Sequence, residues 1–139
     1  MPIRTASAVW DGNLKEGQGR MKLGSGAFEG AFSYATRFGD EPGTNPDELV
    51  GAVEAGCFSM YLSGLLSAAG FPPKQIRTQA KVHLDLEPRI TLIELQTEAD
   101  VPGLDDSTFQ AKVDEASQNC PVSKALRGPE IRVTARLTT

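Results

Sequence analysis

The chain has 139 residues, of which 40% are hydrophobic and 23% are charged, and its formal net charge is −4. This size and composition predict one globular domain over residues 1–139, which can bury a core without a structural metal or disulfide. Because the 14 basic residues give no positive excess and are scattered, the composition argues against nucleic acid as the main partner.

The N-terminal segment MPIRTASAVWDGN lacks the apolar run of a signal peptide, and no apolar stretch is expected to reach the length of a membrane span. We therefore predict a cytoplasmic protein with no membrane partner. Thiols are kept reduced in that compartment. The two cysteines, Cys57 and Cys120, are then expected to be either buried small hydrophobes or redox-active groups.

Residues 1 to about 38 are predicted to form strands and turns. RTASAVW and GRMKLG alternate loosely between apolar and polar residues, glycines punctuate the segment, and AFSYATRF is expected to continue in the same style. FGDEPGTN then has the composition of a loop.

A long helix is predicted to follow. Asn45 is expected to cap it and Pro46 to occupy its first position, while Asp47 and Glu48 place carboxylates in the first turn, where they suit the helix dipole. The helix should end before Gly70. Because it is rather apolar and rich in small residues, we expect it to be central and buried on most sides.

Two strands, at 75–87 and 90–101, are predicted to form a hairpin around Pro88-Arg89. A helix from Asp105 or Asp106 to near Cys120, a short helix at 122–126 and a final strand, IRVTARLT, complete the elements. This order predicts an α+β fold with antiparallel sheets around the long helix. The arrangement leaves much apolar surface, which a dimer of mutually completing chains would cover.

The local surroundings of the two cysteines leave their role open. Cys57 lies mid-helix among apolar residues, where burial raises a thiol pKa, and Glu54 one turn earlier opposes ionisation. Packing is therefore the local interpretation, and reactivity requires a cation from elsewhere in the fold. Cys120 precedes Pro121 at a helix end, so it is expected to be exposed and mobile, as suits a resolving thiol or an incidental residue.

Four segments resemble the OsmC/Ohr family of bacterial thiol peroxidases, which act as organic hydroperoxide reductases. They are TRF at 36–38, GTNPDEL at 43–49, AGCFSMYLS at 55–63 and NCPVSKAL at 119–126. VWDGNLKEGQG and ADVPGLDDSTF favour the OsmC (osmotically inducible protein C) branch. The likeness covers nearly the whole chain, and the joint occurrence of the segments in this order makes it specific.

The resemblance implies an OsmC/Ohr-like fold, an intertwined homodimer with two interfacial sites, and four catalytic residues. Cys57 matches the peroxidatic cysteine, and Cys120 matches the resolving cysteine that condenses with the sulfenic acid to form a disulfide. Arg37 matches the arginine that favours the thiolate, and Asp47 stands where the family has a glutamate hydrogen-bonded to that arginine. Dithiol or lipoyl-type reductants are implied as electron donors.

Two positions depart from the family pattern. Asp47 is one methylene shorter than the glutamate, so it either reaches Arg37 less well or is replaced by Glu48. The position three before Cys57 is often histidine in OsmC-type proteins, and Glu54 there either tunes the thiol or faces water. Since Asp47 and Cys57 are about 15 Å apart along a straight helix, either the helix breaks or Asp47 acts through Arg37 at a subunit interface.

No metal or organic cofactor is predicted, since the chain has no dinucleotide fingerprint, phosphate loop or haem motif. His83, the single histidine, cannot form a zinc site with two distant cysteines and is expected to be structural. Phe58, Met60 and Tyr61 are expected in the core, with some of them lining a pocket for an alkyl peroxide.

Two other functions stay open beside an organic hydroperoxide reductase. One is a non-catalytic module that binds a hydrophobic ligand or senses oxidants, and the other is a purely structural dimer module. Repeated turnover of peroxide distinguishes the enzyme from the binding module, and a titration of thiol reactivity identifies the structural module.

Overall fold

The computed structural model of the protein describes residues 1–127, and the predicted strand IRVTARLT lies outside them. The described elements, in chain order, are β1 (Ala6–Asp11), β2 (Gln18–Leu23), β3 (Glu29–Phe32), α1 (Tyr34–Phe38), α2 (Pro46–Ala68), β4 (Gln75–Leu84), β5 (Ile90–Asp100), α3 (Asp106–Asn119) and α4 (Pro121–Ala125). The predicted α+β class, with antiparallel sheets and one long helix, is confirmed.

The first sheet is antiparallel, with strand order β1-β2-β3. Gly19 on β2 pairs with Trp10 on β1 and with Phe32 on β3. The two rings lie 5.5 Å apart, and a Cβ on Gly19 would come within 2.7 Å of both of them. Glycine is therefore required at this position because the aromatic rings occupy the space that a side chain would fill.

In the segment AFSYATRF, Ala31 and Phe32 lie in a strand, but residues 33–38 form a capped helix, so the expectation of strands and turns up to about residue 38 was wrong there. β3 ends at Phe32, and Ser33 caps the short helix α1. The Ser33 hydroxyl accepts from the Thr36 N–H at 3.2 Å, and the Thr36 hydroxyl accepts from the Ser33 N–H at 2.9 Å. This reciprocal capping satisfies two backbone donors and makes a helical turn favourable where the apolar alternation indicated a strand.

Helix α2 begins and ends where the capping signals predict. The side chain of Asn45 accepts a hydrogen bond from the Glu48 N–H at 2.8 Å. At the other end, the Phe71 N–H donates to the Leu66 carbonyl and the Gly70 N–H donates to the Ser67 carbonyl, at 2.9 and 3.0 Å. Gly70 adopts the left-handed conformation, with φ of +91°, that this C-terminal motif requires.

Among residues 1–127, α2 is buried on one face only, so the expected burial on most sides does not hold. Phe58, Leu62 and Leu66 are at most 2% exposed. Val53 and Met60, which are two helical turns apart, are 53% and 80% exposed. Met60 therefore does not belong to the core of the chain, whereas Phe58 does. The helix is apolar on opposite faces, and residues 1–127 cover only one of them.

The same helix is long and apolar enough to cross a membrane, with a mean hydropathy of 1.5, so the expectation that no stretch reaches this length was wrong. Length and composition of this kind also occur in the core helices of soluble proteins. α2 contributes Phe58, Leu62 and Leu66 to the core of residues 1–127. Of its most apolar stretch of 18 residues, 28% is buried.

β4 and β5 form the predicted hairpin, with the Asp85 N–H bonded to the Arg89 carbonyl at its turn and the Lys74 N–H bonded to the Asp100 carbonyl at its open end. α3 is capped by Asp105, whose side chain accepts from the Thr108 N–H at 2.9 Å. The corner between α3 and α4 falls at Cys120.

The described chain forms two compact units, one comprising residues 1–52 and 81–93 and the other comprising residues 53–80 and those from 94 onward. The first unit contains the three-stranded sheet, α1 and the start of α2. The second contains the rest of α2 with α3 and α4, and its core is centred on Phe58, Leu62, Leu66, Ala116 and Cys120.

Candidate active site

Cys57 and Cys120, which are 63 positions apart in the sequence, meet within the second unit. Cys57 lies in the middle of α2, and Cys120 is both the C-terminal cap of α3 and the N-terminal cap of α4. The Cys120 N–H donates to the Ala116 carbonyl at 3.0 Å, and Pro121 then starts α4, where its missing N–H has no cost. This corner turns the Cys120 side chain toward α2, and Cys57 packs against the core cluster that contains Cys120.

The expectation that Cys120 is the more exposed thiol was wrong. Its side chain is 0% exposed and belongs to the core cluster, because the α3–α4 corner packs inward. Cys57 is partly exposed and packs at the edge of the same cluster. The thiol that the family resemblance assigns to peroxide attack is therefore the more accessible of the two.

Several neighbours act on the Cys57 thiol. Burial raises its pKa most, and the hydrogen bond to Cys120 and the charges of Cys120 and Glu54 raise it further. A hydrogen bond from the Val122 backbone lowers the pKa in part. None of these groups carries a positive charge, so a cation from elsewhere is needed to favour the reactive thiolate, as the sequence predicts.

Arg37 and Asp47, the other two predicted site residues, are joined in the first unit by a two-point ion pair. Arg37 Nε donates to Asp47 Oδ2 at 3.0 Å, and Nη2 donates to Oδ1 at 3.1 Å. Parallel contacts of this kind are among the stronger and more directional polar interactions in proteins. Asp47 is therefore long enough to bind Arg37, and the expectation of a weaker reach or replacement by Glu48, which is exposed, was wrong.

Two local contacts hold this ion pair in place. The Asn45 side-chain amide donates to the Thr36 carbonyl at 3.1 Å, which ties the start of α2 to α1. The guanidinium of Arg37 lies 5.4 Å from the centroid of the Phe38 ring. Asn45 thus caps α2 and also positions the helix that carries Arg37.

Glu54 and Ser123 add a polar cluster to the cysteine pair that the sequence did not predict. Glu54 is 5% exposed, so it does not face water, and it affects the Cys57 thiol, as one of the two sequence interpretations held. Its Oε1 accepts a hydrogen bond from the Ser123 hydroxyl. Ser123 lies three residues after Cys120, the N-terminal cap of α4. At this spacing a backbone N–H commonly donates to the side chain of the capping residue. That spacing was the available signal.

The four predicted residues thus form two pairs, Cys57 with Cys120 and Arg37 with Asp47, which belong to different units of the chain. α2 is continuous from Pro46 to Ala68, so it does not break between Asp47 and Cys57. Of the two alternatives raised by the sequence, a broken helix is therefore wrong.

A cavity of about 260 Å³ lies beside Arg37 in the first unit. Its lining is mostly aromatic and aliphatic, and Ser33 and Arg37 contribute polar groups. The residues that line it are Trp10, Leu14, Phe32, Ser33, Tyr34, Arg37 and Phe38. A cavity of this size and composition suits an apolar group with one polar end.

Residues 1–127 contain no group of three or more histidine, cysteine or acidic side chains placed to hold a metal ion. His83 lies on β4, and its carbonyl accepts from the Thr91 hydroxyl at 3.4 Å. It lies outside both pairs of predicted site residues.

Comparison with known proteins identifies the family. The model of the family described as OsmC-like protein matches residues 39–136. The chain is 44% identical over 128 residues to peroxiredoxin OsmC of Escherichia coli (strain K12), which covers 89% of this chain and 90% of that protein. The chain belongs to the OsmC-like family.

Two further relatives place this family assignment in context. An organic hydroperoxide resistance protein of Xanthomonas axonopodis pv. citri is 33% identical over 96 residues, which is 68% of this chain and 67% of that protein. The crystal structure of an organic hydroperoxide resistance protein from Elizabethkingia anophelis matches with a TM-score of 0.67 and 25% identity, over 91% of each chain. The family to which this chain belongs therefore includes thiol peroxidases, and the predicted OsmC/Ohr-like fold is confirmed.

Proposed function

We propose that this protein is a cysteine-based peroxidase that reduces organic hydroperoxides to alcohols. The observation that carries the proposal is the contact between a partly exposed Cys57 and a buried Cys120 in a chain of this family. Both thiols are free, so they are available for an oxidation and reduction cycle.

Cys57 is the attacking thiol in this cycle. Its thiolate attacks one peroxide oxygen, the O–O bond breaks, and the departing alkoxide takes a proton to become the alcohol. Cys57 is left as a sulfenic acid, which Cys120 converts into a disulfide with loss of water. A dithiol, such as a lipoyl-type group, then restores both thiols by exchange.

Arg37 supplies the positive charge in the proposed mechanism. A cation beside Cys57 favours the thiolate and stabilises the charge that develops on the departing oxygen. Asp47 fixes the direction of the guanidinium through its two contacts. Since α2 is continuous between Asp47 and Cys57, we assign the Arg37–Asp47 pair that serves each Cys57 to a second copy of the chain.

The proposed assembly is accordingly a homodimer with two sites at its interface. The apolar face of α2 that carries Val53 and Met60 supports it, because this face is exposed in the single chain and lies beside Cys57. Gly56 and Gly64 on α2 have open space around them, which permits close approach of another backbone.

The cavity beside Arg37 is the proposed site for the organic part of the substrate. Its aromatic and aliphatic wall suits an alkyl or aryl group, and Arg37 at its side suits the peroxide oxygens. We place the protein in the cytoplasm as one domain, since the cycle requires a supply of reduced dithiols.

The decisive test is consumption of cumene hydroperoxide by the purified protein in the presence of a dithiol, with mass spectrometry of the resting and oxidised forms. The wild type should turn over repeatedly and lose about two daltons on oxidation, as one disulfide requires. Cys57→Ser should abolish turnover, and Cys120→Ser should permit one round of oxidation. Sustained turnover by Cys57→Ser contradicts the proposal, and stoichiometric ligand retention without turnover identifies a binding module instead.

A further inference from the structure

Glu54 is a buried carboxylate beside Cys120 to which the proposed cycle assigns no step. Its Oε1 lies 3.7 Å from Cys120 Sγ and accepts a hydrogen bond from the Ser123 hydroxyl. Its Oε2 is buried and has no hydrogen-bond partner within residues 1–127. A buried carboxylate oxygen without a partner costs free energy, so its presence next to a thiol favours a chemical role over a structural one.

Cys120 must lose its proton before it can attack another sulfur, because the thiolate is the nucleophile. The side chain is 0% exposed, so bulk water has no access to that proton. Ser123 serves the thiolate in two ways. Its N–H donates to Cys120 Sγ at 3.4 Å, and its hydroxyl lies 3.0 Å from the same sulfur while bonded to Glu54.

We propose that Glu54 is the general base of the resolving step, which accepts the Cys120 proton directly or through the Ser123 hydroxyl. This inference deepens the proposed peroxidase function and rests on it. The arrangement Cys120 Sγ, Ser123 Oγ and Glu54 Oε1 is a continuous chain of hydrogen-bonding groups that ends at a carboxylate.

The step balances with groups already at the site. The S–H bond of Cys120 breaks and its proton moves to Glu54. The Cys120 sulfur then attacks the sulfenic sulfur of Cys57, so an S–S bond forms while the S–O bond breaks. Hydroxide leaves and takes the proton from Glu54 to become water, which restores the carboxylate. The Cys120 sulfur is oxidised and the sulfenic sulfur is reduced, so no other oxidant is needed.

The two steps of the cycle respond to Glu54 in opposite directions. The carboxylate charge is among the groups that raise the pKa of Cys57, after burial and the contacts with Cys120. Removing that charge favours the Cys57 thiolate and hence the attack by Cys57. Removing the base slows the resolving attack by Cys120. A substitution that only loosens the packing around the two thiols would not speed the first reaction while slowing the second.

The test uses the full chain and an aromatic disulfide, dithiobis-nitrobenzoate, whose thiolate product is coloured. Cys57 attacks the reagent and releases one equivalent of colour. Cys120 then attacks the mixed disulfide and releases a second, at a rate independent of reagent concentration. Because the aromatic thiolate leaves without needing a proton, the second phase isolates the deprotonation of Cys120. Cys120→Ser should release one equivalent only.

In Glu54→Gln, which keeps the size and the acceptor oxygen, the first phase should be at least as fast as in the wild type. The second phase should slow on the order of 100-fold, as expected for loss of a general base. Ser123→Ala should slow it by a smaller factor, since the direct contact of Cys120 with Glu54 remains. Glu115→Gln, which changes an exposed carboxylate on α3, is the matched control and should change neither phase.

Equal second-phase rates in Glu54→Gln and the wild type overturn the assignment, as does a wild type without a second phase or a slowing of both phases in Glu54→Gln. The assay uses no peroxide, so it separates this inference from the proposed function. If both phases behave as expected while cumene hydroperoxide is not consumed, the peroxidase proposal fails and the role of Glu54 in disulfide formation stands.

Discussion

Arg37 and Asp47 face each other through two hydrogen bonds, from Nε to Oδ2 at 3.0 Å and from Nη2 to Oδ1 at 3.1 Å. The Asp47 side chain is 10% exposed, whereas that of Arg37 is 34% exposed. The carboxylate is thus enclosed, and the guanidinium keeps part of its surface open. This geometry suits a cation that is fixed on one side and available to a second partner on the other.

Replacing Arg37 should move the pH dependence of peroxide attack. Burial, Cys120 and Glu54 raise the pKa of Cys57, and only the thiolate attacks, so the rate of the first step increases with pH. In the proposed site, Arg37 opposes these effects. Arg37→Met should therefore shift the pH–rate profile to higher pH and slow the reaction at neutral pH by roughly tenfold for each unit by which the pKa of Cys57 rises.

The measurement is the rate of Cys57 oxidation in a single turnover with cumene hydroperoxide, followed across neutral and alkaline pH. The ratio of the wild-type rate to the Arg37→Met rate should fall toward one as pH rises, because Cys57 becomes fully ionised in both proteins. Arg20→Met, which breaks the exposed pair between Arg20 and Glu29, is the control and should leave the profile unchanged. Superimposable profiles for Arg37→Met and the wild type would exclude Arg37 from the thiol site.

The coupling between Arg37 and Asp47 should be measurable in stability as well. Removing one partner of an enclosed ion pair leaves the other charge uncompensated, so Asp47→Asn should lower the free energy of unfolding by about 2 kcal/mol. We give a value below the range for fully buried pairs because Arg37 is one-third exposed. Urea denaturation of Asp47→Asn, Arg37→Met, the double variant and the wild type gives the four free energies of unfolding from which the coupling of the pair is calculated.

The exposed pair Arg77–Glu98, with side chains 53% and 80% exposed, is the reference for that cycle. Its coupling should stay below about 0.5 kcal/mol, whereas the coupling of Arg37 with Asp47 should exceed about 1 kcal/mol. Equal couplings for the two pairs would mean that the enclosure of Asp47 does not strengthen its contact with Arg37.

Local signals explain which parts of the fold were predictable from the sequence. The ends of α2 follow from Asn45-Pro46 and Gly70, which act through neighbouring backbone groups. α1 was missed because its five residues are too few for helical periodicity, and its capping by Ser33 competes with an apolar alternation that indicates a strand.

The candidate site was predictable to the extent that its residues lie in recognisable segments. The resemblance named Arg37, Asp47, Cys57 and Cys120, and the structure brings them together as two pairs. The burial of Cys120 and the contact between Glu54 and Ser123 depend on how the α3–α4 corner packs against α2. Glu54 and Ser123 are 69 positions apart, so the local capping spacing that marks Ser123 does not identify Glu54 as its partner.

Changing the wall of the cavity should affect organic substrates selectively. Leu14→Ser removes an aliphatic contact beside Arg37 without changing a charge. We expect a loss of about 1 kcal/mol in binding of the aryl group, or roughly a fivefold rise in KM for cumene hydroperoxide. The rate with hydrogen peroxide should not change, since that substrate has no apolar group.

Leu23→Ser is the matched control for the cavity, because Leu23 is an exposed leucine on β2 that does not line it. Steady-state kinetics with both peroxides and both variants gives the comparison. An equal effect of Leu14→Ser on hydrogen peroxide and cumene hydroperoxide would show that the cavity does not hold the organic group.

The exposed face of α2 gives the last prediction, which concerns assembly. Val53 and Met60 lie on one side of the helix, opposite the core residues Phe58 and Leu62. If a second chain covers this face, the wild type should have about twice the 14.9 kDa mass of the chain in light scattering. Met60→Glu should give monomers and lose peroxidase activity, because a carboxylate would be buried in the interface.

Leu86→Glu, at the exposed turn between β4 and β5, is the control and should keep both the dimer mass and the peroxidase activity. An active Met60→Glu monomer would instead place the whole site within one chain.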